Sequence, residues 1–326
     1  MAREALAFWV GSPGVGEVRP MVVPDPGPDE VLVRTLRSAV SRGTESLVFR
    51  GEVPAGERAL MRAPFQEGDF PAPVKYGYLN VGVVEEGPAA LVGRTVFTLY
   101  PHQSWFVVPA GSVIPVPPGV PAARAVLAGA VETALNALWD APPLLGDRVA
   151  IVGAGLVGCC VGLLAGRVPG VRITLVDVDP RRADVAERLG LAFCHPDEAP
   201  RGQDLVVHTT ATSAGLQTAL ELVADDAAVL ELSWYGNRPV TVALGGRFHS
   251  ARLGIRASQV GTVAASRRSR WTRHERLALA LDLLQDPAFD VLLTGSSPLA
   301  QLPAVMARFA AGDLSGICHS VTYPKE

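Results

Sequence analysis

The stretch VAIVGAGLVG, residues 149–158, most constrains how this chain can fold. Its continuous apolar start suits a strand that is buried on both faces of a parallel sheet. The glycines that follow have the spacing G-x-G-x-x-G: Gly153 permits a tight turn, Gly155 leaves room above the backbone, and Gly158 lets a helix pack closely on the strand. Apolar strands and helices alternate over residues 125–261. This pattern predicts a doubly wound α/β domain with a parallel sheet.

The same turn predicts a dinucleotide site. The N–H groups of the first helical turn, at Leu156, Val157 and Gly158, favour phosphate charge together with the helix dipole. The next apolar strand ends at Asp177, where a carboxylate accepts hydrogen bonds from a ribose diol and repels a 2′-phosphate. This charge favours NAD over NADP, although Arg181 and Arg182 each offer a partner for such a phosphate. Glycines that serve only the packing of the chain are the structural alternative.

The segment before this domain, residues 1–124, has a different pattern. Short apolar runs such as EVLVRTLRSAV and SWFVVPA alternate with turn-rich segments that contain Pro and Gly. Such spacing is typical of an all-β domain and suggests a barrel. The segment after it contains an amphipathic helical pattern, WTRHERLALALDLLQD, and ends in an apolar strand, ICHSVTY.

Length, charge and cysteine content narrow the class of protein. A chain of 326 residues suggests about two domains, and a net charge of −3 argues against a nucleic-acid partner. No export signal or membrane span is visible in the sequence. The four cysteines have neither a disulfide nor a zinc-binding spacing, so we expect a cytoplasmic protein that acts on a small molecule. They are Cys159, Cys160, Cys194 and Cys318.

Three motifs in this order resemble the medium-chain dehydrogenase/reductase superfamily, the relatives of zinc alcohol dehydrogenases. They are SRGTES, VKYGYLNVGVVEEG and GDRVAIVGAGLVG. The resemblance implies a GroES-like β-barrel catalytic domain, formed by residues 1–124 and 262–326, and a Rossmann nucleotide-binding domain over 125–261. It also implies a homodimer.

The sequence departs from the superfamily's pattern at the metal positions. The usual cysteine ligand falls at Arg42, or at Ser41 if the alignment slips by one residue, and the Gly-His-Glu motif has Tyr78 and Leu79 in place of its His and Glu. The third ligand position falls near Gly129. Catalytic zinc needs three ligands of the Cys, His or carboxylate type, so we expect a metal-free protein. The Ser-x-Gly-Thr-Glu motif is similar to that of zinc-lacking members such as the bacteriochlorophyllide hydroxyethyl dehydrogenases, but other segments differ too much to carry over their substrate.

Without zinc, the charge that develops on a substrate oxygen must be met by hydrogen-bond donors or a cation. By the resemblance, Thr44 occupies the position of the proton-relay hydroxyl and Thr133 that of a hydroxyl near the nicotinamide. Tyr78 places a phenol where a metal ligand would be, or fills the space that the metal leaves. Arg42 offers a positive charge in place of the metal, or pairs with Glu45 or Glu52.

Two further residues are candidates for proton transfer. Glu132 is a charged residue in an apolar helical pattern, which suggests either an acid/base group or a buried salt bridge. His102 is either a proton shuttle or a histidine of a surface loop. Trp234 and Tyr235 follow a strand of the nucleotide domain, at the sheet edge where ligands bind. They are expected to line a substrate pocket or to pack at a domain interface.

These residues and the resemblance predict a zinc-independent, NAD(H)-dependent oxidoreductase that transfers hydride between nicotinamide and an alcohol or carbonyl carbon. The first alternative is a zinc-free reductase of the carbon–carbon double bond in enones or quinones. The second is a catalytically silent NAD-binding protein.

Overall fold

A computed structural model describes residues 3–324 of the chain. The chain forms two compact units. The first contains the described residues up to Gly129, the segment Leu281–Pro287 and the residues from Leu293 onward; the second contains Ala130–Ala280 and Ala288–Leu292. We call them the barrel unit and the parallel-sheet unit. Among the described residues, no helix has the length and apolar character needed to span a bilayer.

The strands of the barrel unit form two sheets. Within residues 3–324, one sheet has the order β2-β1-β5-β4, and the other has the order β16-β17-β3-β6-β7-β9, with β8 also paired to β3. Most neighbours are antiparallel, but β16 and β17 are parallel. The strands are β1 (Arg3–Ser12), β2 (Val15–Val23), β3 (Glu30–Val40), β4 (Glu67–Gly68), β5 (Val74–Lys75), β6 (Asn80–Glu86), β7 (Thr95–Thr98), β8 (Trp105–Pro109), β9 (Val113–Pro115), β16 (Leu293–Pro298) and β17 (Cys318–Thr322).

The parallel-sheet unit is built on one sheet whose order, in the described part of the chain, is β12-β11-β10-β13-β14-β15. All of its neighbouring strands are parallel. The order reverses between β10 and β13, which is the topological switch point where ligands bind in sheets of this type. The strands are β10 (Arg148–Val152), β11 (Arg172–Val176), β12 (Ala192–Cys194), β13 (Leu205–His208), β14 (Ala228–Glu231) and β15 (Gly254–Ala257).

Helices connect these strands. The α-helices are α1 (Arg42–Phe49), α2 (Ala122–Ala125), α3 (Ala128–Asp140), α4 (Leu156–Ala165), α5 (Arg182–Arg188), α6 (Ser213–Leu222), α7 (Arg247–Ser250), α8 (Arg273–Leu283) and α9 (Leu302–Ala311). Short 3₁₀ turns lie at Ala55–Glu57, Ala110–Ser112, Pro196–Glu198, Pro287–Leu292 and Leu299–Gln301.

The hydrophobic cores follow from the sequence patterns. In the barrel unit, Val31, Val33, Val84 and Phe106 are fully buried, and the ring of Phe106 stacks on Tyr100 with centroids 3.9 Å apart. In the parallel-sheet unit, apolar runs of the central strands are buried against α6, because crossover helices cover both faces of such a sheet. The predicted fold class, a barrel-like β domain and a doubly wound Rossmann domain, is confirmed.

The compact units and the predicted domains differ at the place where the chain returns to the first domain. The predicted limit is residue 262, whereas the barrel unit resumes at Leu281. Helix α8 begins within the parallel-sheet unit because its Arg276 is buried there, with its guanidinium 3.0 Å from Glu132 of α3.

Candidate functional site

Two of the superfamily's metal positions are filled by an apolar contact in the barrel unit. Leu79 is 2% exposed. A Cβ atom on Gly129 would lie only 2.4 Å from the Cδ2 atom of Leu79, so the leucine occupies the space that a side chain at position 129 would need. Within residues 3–324, no group of three or more His, Cys, Asp or Glu side chains is placed to hold a metal ion. The residues at these positions do not fit a zinc site.

The phenol of Tyr78 lies beside the start of α1. It is partly exposed, and its hydroxyl donates a hydrogen bond to Ser41 Oγ at 2.6 Å. Burial raises the pKa of Tyr78 to about 12; the charge of Glu45 adds to this, and the hydroxyls of Ser41 and Thr44 oppose it. Tyr78 therefore keeps its proton at neutral pH. Arg42 is exposed in the first turn of the same helix. Glu52 forms an ion pair with Arg50 at 3.0 Å.

A buried hydrogen-bond chain lies behind this tyrosine. His102 is fully buried; its Nε2 atom is 2.8 Å from Glu45 Oε2, and its Nδ1 atom is 2.6 Å from Ser38 Oγ. Ser38 Oγ is also 2.8 Å from the hydroxyl of Tyr323. The other Glu45 oxygen accepts the backbone N–H of Ser41 at 2.7 Å, which links the chain to the partner of Tyr78. The alternative that His102 belongs to an exposed loop is wrong.

Close packing holds His102 in this position. A Cβ atom on Gly77 would lie 2.9 Å from His102 Cδ2, and Gly77 has a φ of +132°, a value that favours glycine. The imidazole therefore packs on the backbone next to Tyr78. Because it has no exposed surface, His102 acts through its neighbours rather than by touching a ligand.

Sequence analysis missed Ser38, Glu45 and Tyr323 as members of this chain. Glu45 had a visible signal, since it is a charge in the apolar segment ESLVF and is 3% exposed. Ser38 and Tyr323 carried no signal, because a serine in a strand and a tyrosine near the end of the chain are ordinary core residues.

Lys75 is a second unexpected buried charge of the barrel unit. Its Nζ atom pairs with Glu67 and donates to Gln103 Oε1 at 2.5 Å, and it lies 5.3 Å from the ring centroid of Tyr100. Burial lowers the pKa of Lys75, although Glu67 opposes this effect. The amine has no exposed surface, so its partners are these neighbouring side chains of the unit.

In the parallel-sheet unit, the glycine loop between β10 and α4 has a different geometry at each glycine. Gly153 has a φ of +112°, and a Cβ atom there would lie 2.4 Å from Thr209 Oγ1. A Cβ atom on Gly155 would meet no described atom within 4 Å, whereas one on Gly158 would lie 2.0 Å from the carbonyl oxygen of Gly153. The loop thus has open space above Gly155 and close helix–strand packing at Gly158, as the motif requires for a pyrophosphate.

Asp177 lies at the end of β11 and faces this loop. Its Oδ2 atom accepts the N–H of Ala154 at 2.8 Å, and its Oδ1 atom accepts the N–H of Asp179 at 2.9 Å. A carboxylate oxygen accepts more than one hydrogen bond, so both oxygens retain capacity for a ribose diol. Arg181 and Arg182 both pair with Asp179, at 2.7 and 3.6 Å. Hydrogen bonding from Arg181 lowers the pKa of Asp179.

Glu132 forms a buried salt bridge with Arg276, which is the structural alternative to an acid/base role. Its partner Arg276 is 1% exposed and also donates to Asn136 Oδ1 at 2.5 Å and to the carbonyl of Thr262 at 3.3 Å. Burial raises the pKa of Glu132, against the opposing charge of Arg276. Thr133 is the next residue of α3 and is half-buried. The geometry favours a structural role for Glu132 over an acid/base role.

Trp234 and Tyr235 follow β14 and are both half-buried. The Tyr235 hydroxyl donates to Glu231 Oε2 at 2.7 Å, and its ring stacks on His208 with centroids 6.4 Å apart. Burial, together with Glu231, raises the pKa of Tyr235 well above its ordinary value. His208 and Glu231 were not predicted, because each occupies the last position of an apolar strand and neither belongs to a motif.

The chain matches no protein-family model. It is 23% identical over 238 residues to L-threonine 3-dehydrogenase of Sinorhizobium medicae (strain WSM419), a match that covers 61% of this chain and 64% of that protein. The chain thus spans less than two thirds of the length of this curated relative.

Solved structures share the whole fold. L-idonate 5-dehydrogenase of Escherichia coli K-12 superimposes with a TM-score of 0.80 at 14% identity, covering 99% of each chain. A structure from Escherichia coli CFT073, described as the short chain alcohol dehydrogenase rspB complexed with NADH, gives a TM-score of 0.76 at 16% identity and covers 98% of this chain and 99% of that one. The chain therefore has the fold of these solved dehydrogenase structures, and its sequence resembles that of a curated dehydrogenase.

Proposed function

We propose that this protein is a zinc-independent, NAD(H)-dependent oxidoreductase that interconverts a small carbonyl compound and its alcohol. The observation that carries the metal-free part of the proposal is the contact of Leu79 with Gly129, which fills two positions where the superfamily has metal ligands. The relatives named above are dehydrogenases of small molecules, which supports the reaction class.

We infer NAD rather than NADP as the cofactor. Asp177 presents a carboxylate where a ribose 2′-phosphate would lie, and like charges in such a position repel. Arg181 and Arg182 pair with Asp179, which reduces the positive charge that they offer to that phosphate. When bound, the nicotinamide supplies or accepts the hydride. The glycine loop, Asp177 and the first turn of α4 bind and orient the cofactor.

Tyr78 is the proton donor in this proposal. Its raised pKa keeps the phenol protonated at neutral pH, so it can donate a hydrogen bond to a carbonyl oxygen and stabilise the negative charge that develops there. An alkoxide is more basic than a phenolate, so it takes the proton from Tyr78. Ser41 and Thr44 then stabilise the phenolate and relay a proton back to it. In alcohol oxidation the same groups carry the proton by the reverse route.

Glu45 and His102 support that group from behind. The carboxylate of Glu45 holds the N–H of Ser41, and His102 holds the carboxylate. The buried chain therefore fixes the hydroxyl that accepts the hydrogen bond of Tyr78. In this proposal Glu45 and His102 are positioning residues, while Tyr78 and Thr44 handle the proton.

The test begins with calorimetric titration of the chelator-treated protein with NADH and with NADPH. We expect NADH to bind more tightly than NADPH by a factor of about ten or more, because the carboxylate of Asp177 repels the 2′-phosphate of NADPH. A panel of aldehydes, ketones, enones and quinones is then assayed with the tighter cofactor. Turnover of saturated carbonyls supports the proposal.

The other outcomes separate the alternatives. Turnover confined to enones and quinones would replace the proposal with a carbon–carbon double-bond reductase. Binding of NADH with no turnover of any carbonyl or enone would favour a catalytically silent NAD-binding protein. Binding of neither nucleotide would contradict the enzyme assignment as a whole.

A further inference from the structure

A polar cluster at the carboxyl ends of β13 and β14 has no role in the function proposed above. His208 is the last residue of β13, is fully buried, and has both ring nitrogens engaged. Its Nδ1 atom is 2.7 Å from Glu231 Oε2, at the end of β14, and its Nε2 atom is 2.6 Å from Thr210 Oγ1. The orientation of this imidazole is therefore fixed at the sheet edge where ligands bind.

The protonation of Glu231 sets the direction of these hydrogen bonds. Burial alone would raise the pKa of Glu231, but hydrogen bonds from His208, Ser233 and Tyr235 outweigh it and hold the pKa below its ordinary value. Glu231 is therefore a carboxylate at neutral pH and accepts from His208 Nδ1–H. In the neutral imidazole, Nε2 is then the acceptor, and the hydroxyl of Thr210 donates to it.

The chain continues from Thr210 to the start of α6. Thr210 Oγ1 accepts the N–H of Thr212 at 3.2 Å and is 2.9 Å from Thr212 Oγ1. Thr212 is the N-cap residue of α6, and its hydroxyl oxygen accepts the N–H of Gly215 at 3.0 Å. Each hydroxyl or ring N–H thus donates to the next group: Thr212 donates to Thr210, Thr210 donates to His208, and His208 donates to Glu231.

This chain packs directly against the glycine loop. A Cβ atom on Gly153 would lie 3.0 Å from Thr210 Cγ2, and the neighbouring Thr209 donates through Oγ1 to the carbonyl of Gly153 at 2.9 Å. On the opposite side, a Cβ atom on Gly215 would lie 2.1 Å from Thr210 Oγ1 and 2.8 Å from His208 Nε2. Thr210 is therefore confined between two glycines, and His208 fixes the rotamer that Thr210 adopts.

The polar groups of this cluster are engaged with one another rather than directed at a ligand. His208 has no exposed surface. Tyr235 is half-buried, but Glu231 and burial raise its pKa well above the ordinary value, and its proton is committed to the carboxylate. The groups hold one another in place instead of exchanging protons with a ligand.

We propose that His208 is a positioning residue for dinucleotide binding: its Nε2 atom holds Thr210 against Gly153 and so keeps the phosphate-binding turn in its binding conformation. This inference rests on the proposed function, since it takes the ligand of the loop to be a nicotinamide dinucleotide. Preorganisation of this kind raises affinity because the loop does not have to be ordered on binding.

Two variants of His208 separate the positioning role from a purely structural one. His208→Asn keeps a donor near the position of Nδ1, so it retains the hydrogen bond to Glu231 and loses the hydrogen bond to Thr210. His208→Gln places its amide near the position of Nε2, so it retains the hydrogen bond to Thr210 and loses the hydrogen bond to Glu231. Each variant removes one hydrogen bond of the same buried side chain, and both are expected to lower the Tm.

The measurement is the Kd of NADH for the full-length wild type and both variants, with the Tm recorded for each. We expect about ten-fold weaker binding by His208→Asn, the effect of one hydrogen bond, and binding within about two-fold of wild type by His208→Gln. Equal affinities in the two variants, or weaker binding by His208→Gln, would overturn the inference while the wild type still binds NADH. A wild-type chain that binds neither NADH nor NADPH would overturn the inference and the proposed function together.

Discussion

At the scale of single residues, Tyr78 is the group that we propose in place of a metal ion. A zinc ion stabilises charge on a substrate oxygen without giving up a proton, whereas a phenol does both. The raised pKa of Tyr78, about 12, keeps the phenol protonated at neutral pH, and an alkoxide is still basic enough to take that proton. In the proposed mechanism the phenol therefore donates the proton in carbonyl reduction and recovers it in the reverse reaction.

The first prediction concerns this phenol. Tyr78→Phe removes the donor and is expected to lower kcat for carbonyl reduction about 100-fold, with NADH affinity unchanged. The measurement is steady-state kinetics with the best carbonyl substrate and calorimetric titration with NADH. Tyr76→Phe is the matched control, because Tyr76 is a buried neighbour whose ring centroid lies 6.0 Å from that of Tyr78. Wild-type kcat in Tyr78→Phe would eliminate Tyr78 as the donor.

Glu132 and His102 show which properties of a site residue can be predicted from its position in the sequence. Glu132 was recognised from sequence as a costly buried charge, but sequence did not distinguish an acid/base group from an ion pair, because the partner Arg276 is 144 positions away. His102 was recognised as titratable, yet its burial depends on Gly77, Ser38 and Glu45. Residue type indicates the chemistry that is available, and packing decides whether it is accessible.

At the scale of secondary-structure elements, α3 and α8 meet through the buried side chain of Arg276. Arg276 of α8 is buried and reaches Glu132 and Asn136 of α3 as well as the carbonyls of Val260 and Thr262. An amphipathic pattern predicts that such a helix has a buried face, but it does not say against which domain that face packs.

The second prediction follows from this ion pair. Glu132→Gln leaves the charge of Arg276 buried without its counter-charge and is expected to lower the free energy of unfolding by about 3–5 kcal/mol. Turnover per folded molecule should stay at the wild-type level, since the role of Glu132 is structural. The measurements are urea denaturation and kinetics at low urea.

The control for this prediction uses an exposed pair of the same unit. Asp184 and Arg188 are one turn apart on α5, with a separation of 4.0 Å and mostly exposed side chains. Asp184→Asn should change the unfolding free energy little, because exposed ion pairs contribute weakly. A large loss of turnover in folded Glu132→Gln would instead restore the acid/base role.

At the scale of the whole molecule, the chain shares its fold with the solved dehydrogenase structures named above. Within the barrel unit, Leu79 occupies the space that a side chain at position 129 would need, and this packing supports the proposal of a metal-free protein. The predicted homodimer and the predicted domain limits stay predictions.

The third prediction is that the protein needs no zinc. The purified chain should contain well under one zinc ion per molecule, and treatment with a chelator should change neither its Tm nor its carbonyl reductase activity. The measurements are elemental analysis, thermal unfolding and activity before and after dialysis. Loss of activity on chelation and its recovery with zinc would contradict this prediction. It would mean that residues outside the expected metal positions bind a zinc ion that the reaction needs.

The sequence by itself determined the apolar strands of the parallel sheet and the glycine turn, because each of them depends on residues that are close together along the chain. Hydrophobic periodicity reports on a strand or helix and its immediate neighbours. Only the tertiary structure decided which polar groups meet. Ser38 and Tyr323 are 285 positions apart, and His208 meets Glu231 through the register of two parallel strands. Such contacts depend on how elements pack, and buried polar groups find their partners only once that packing is set.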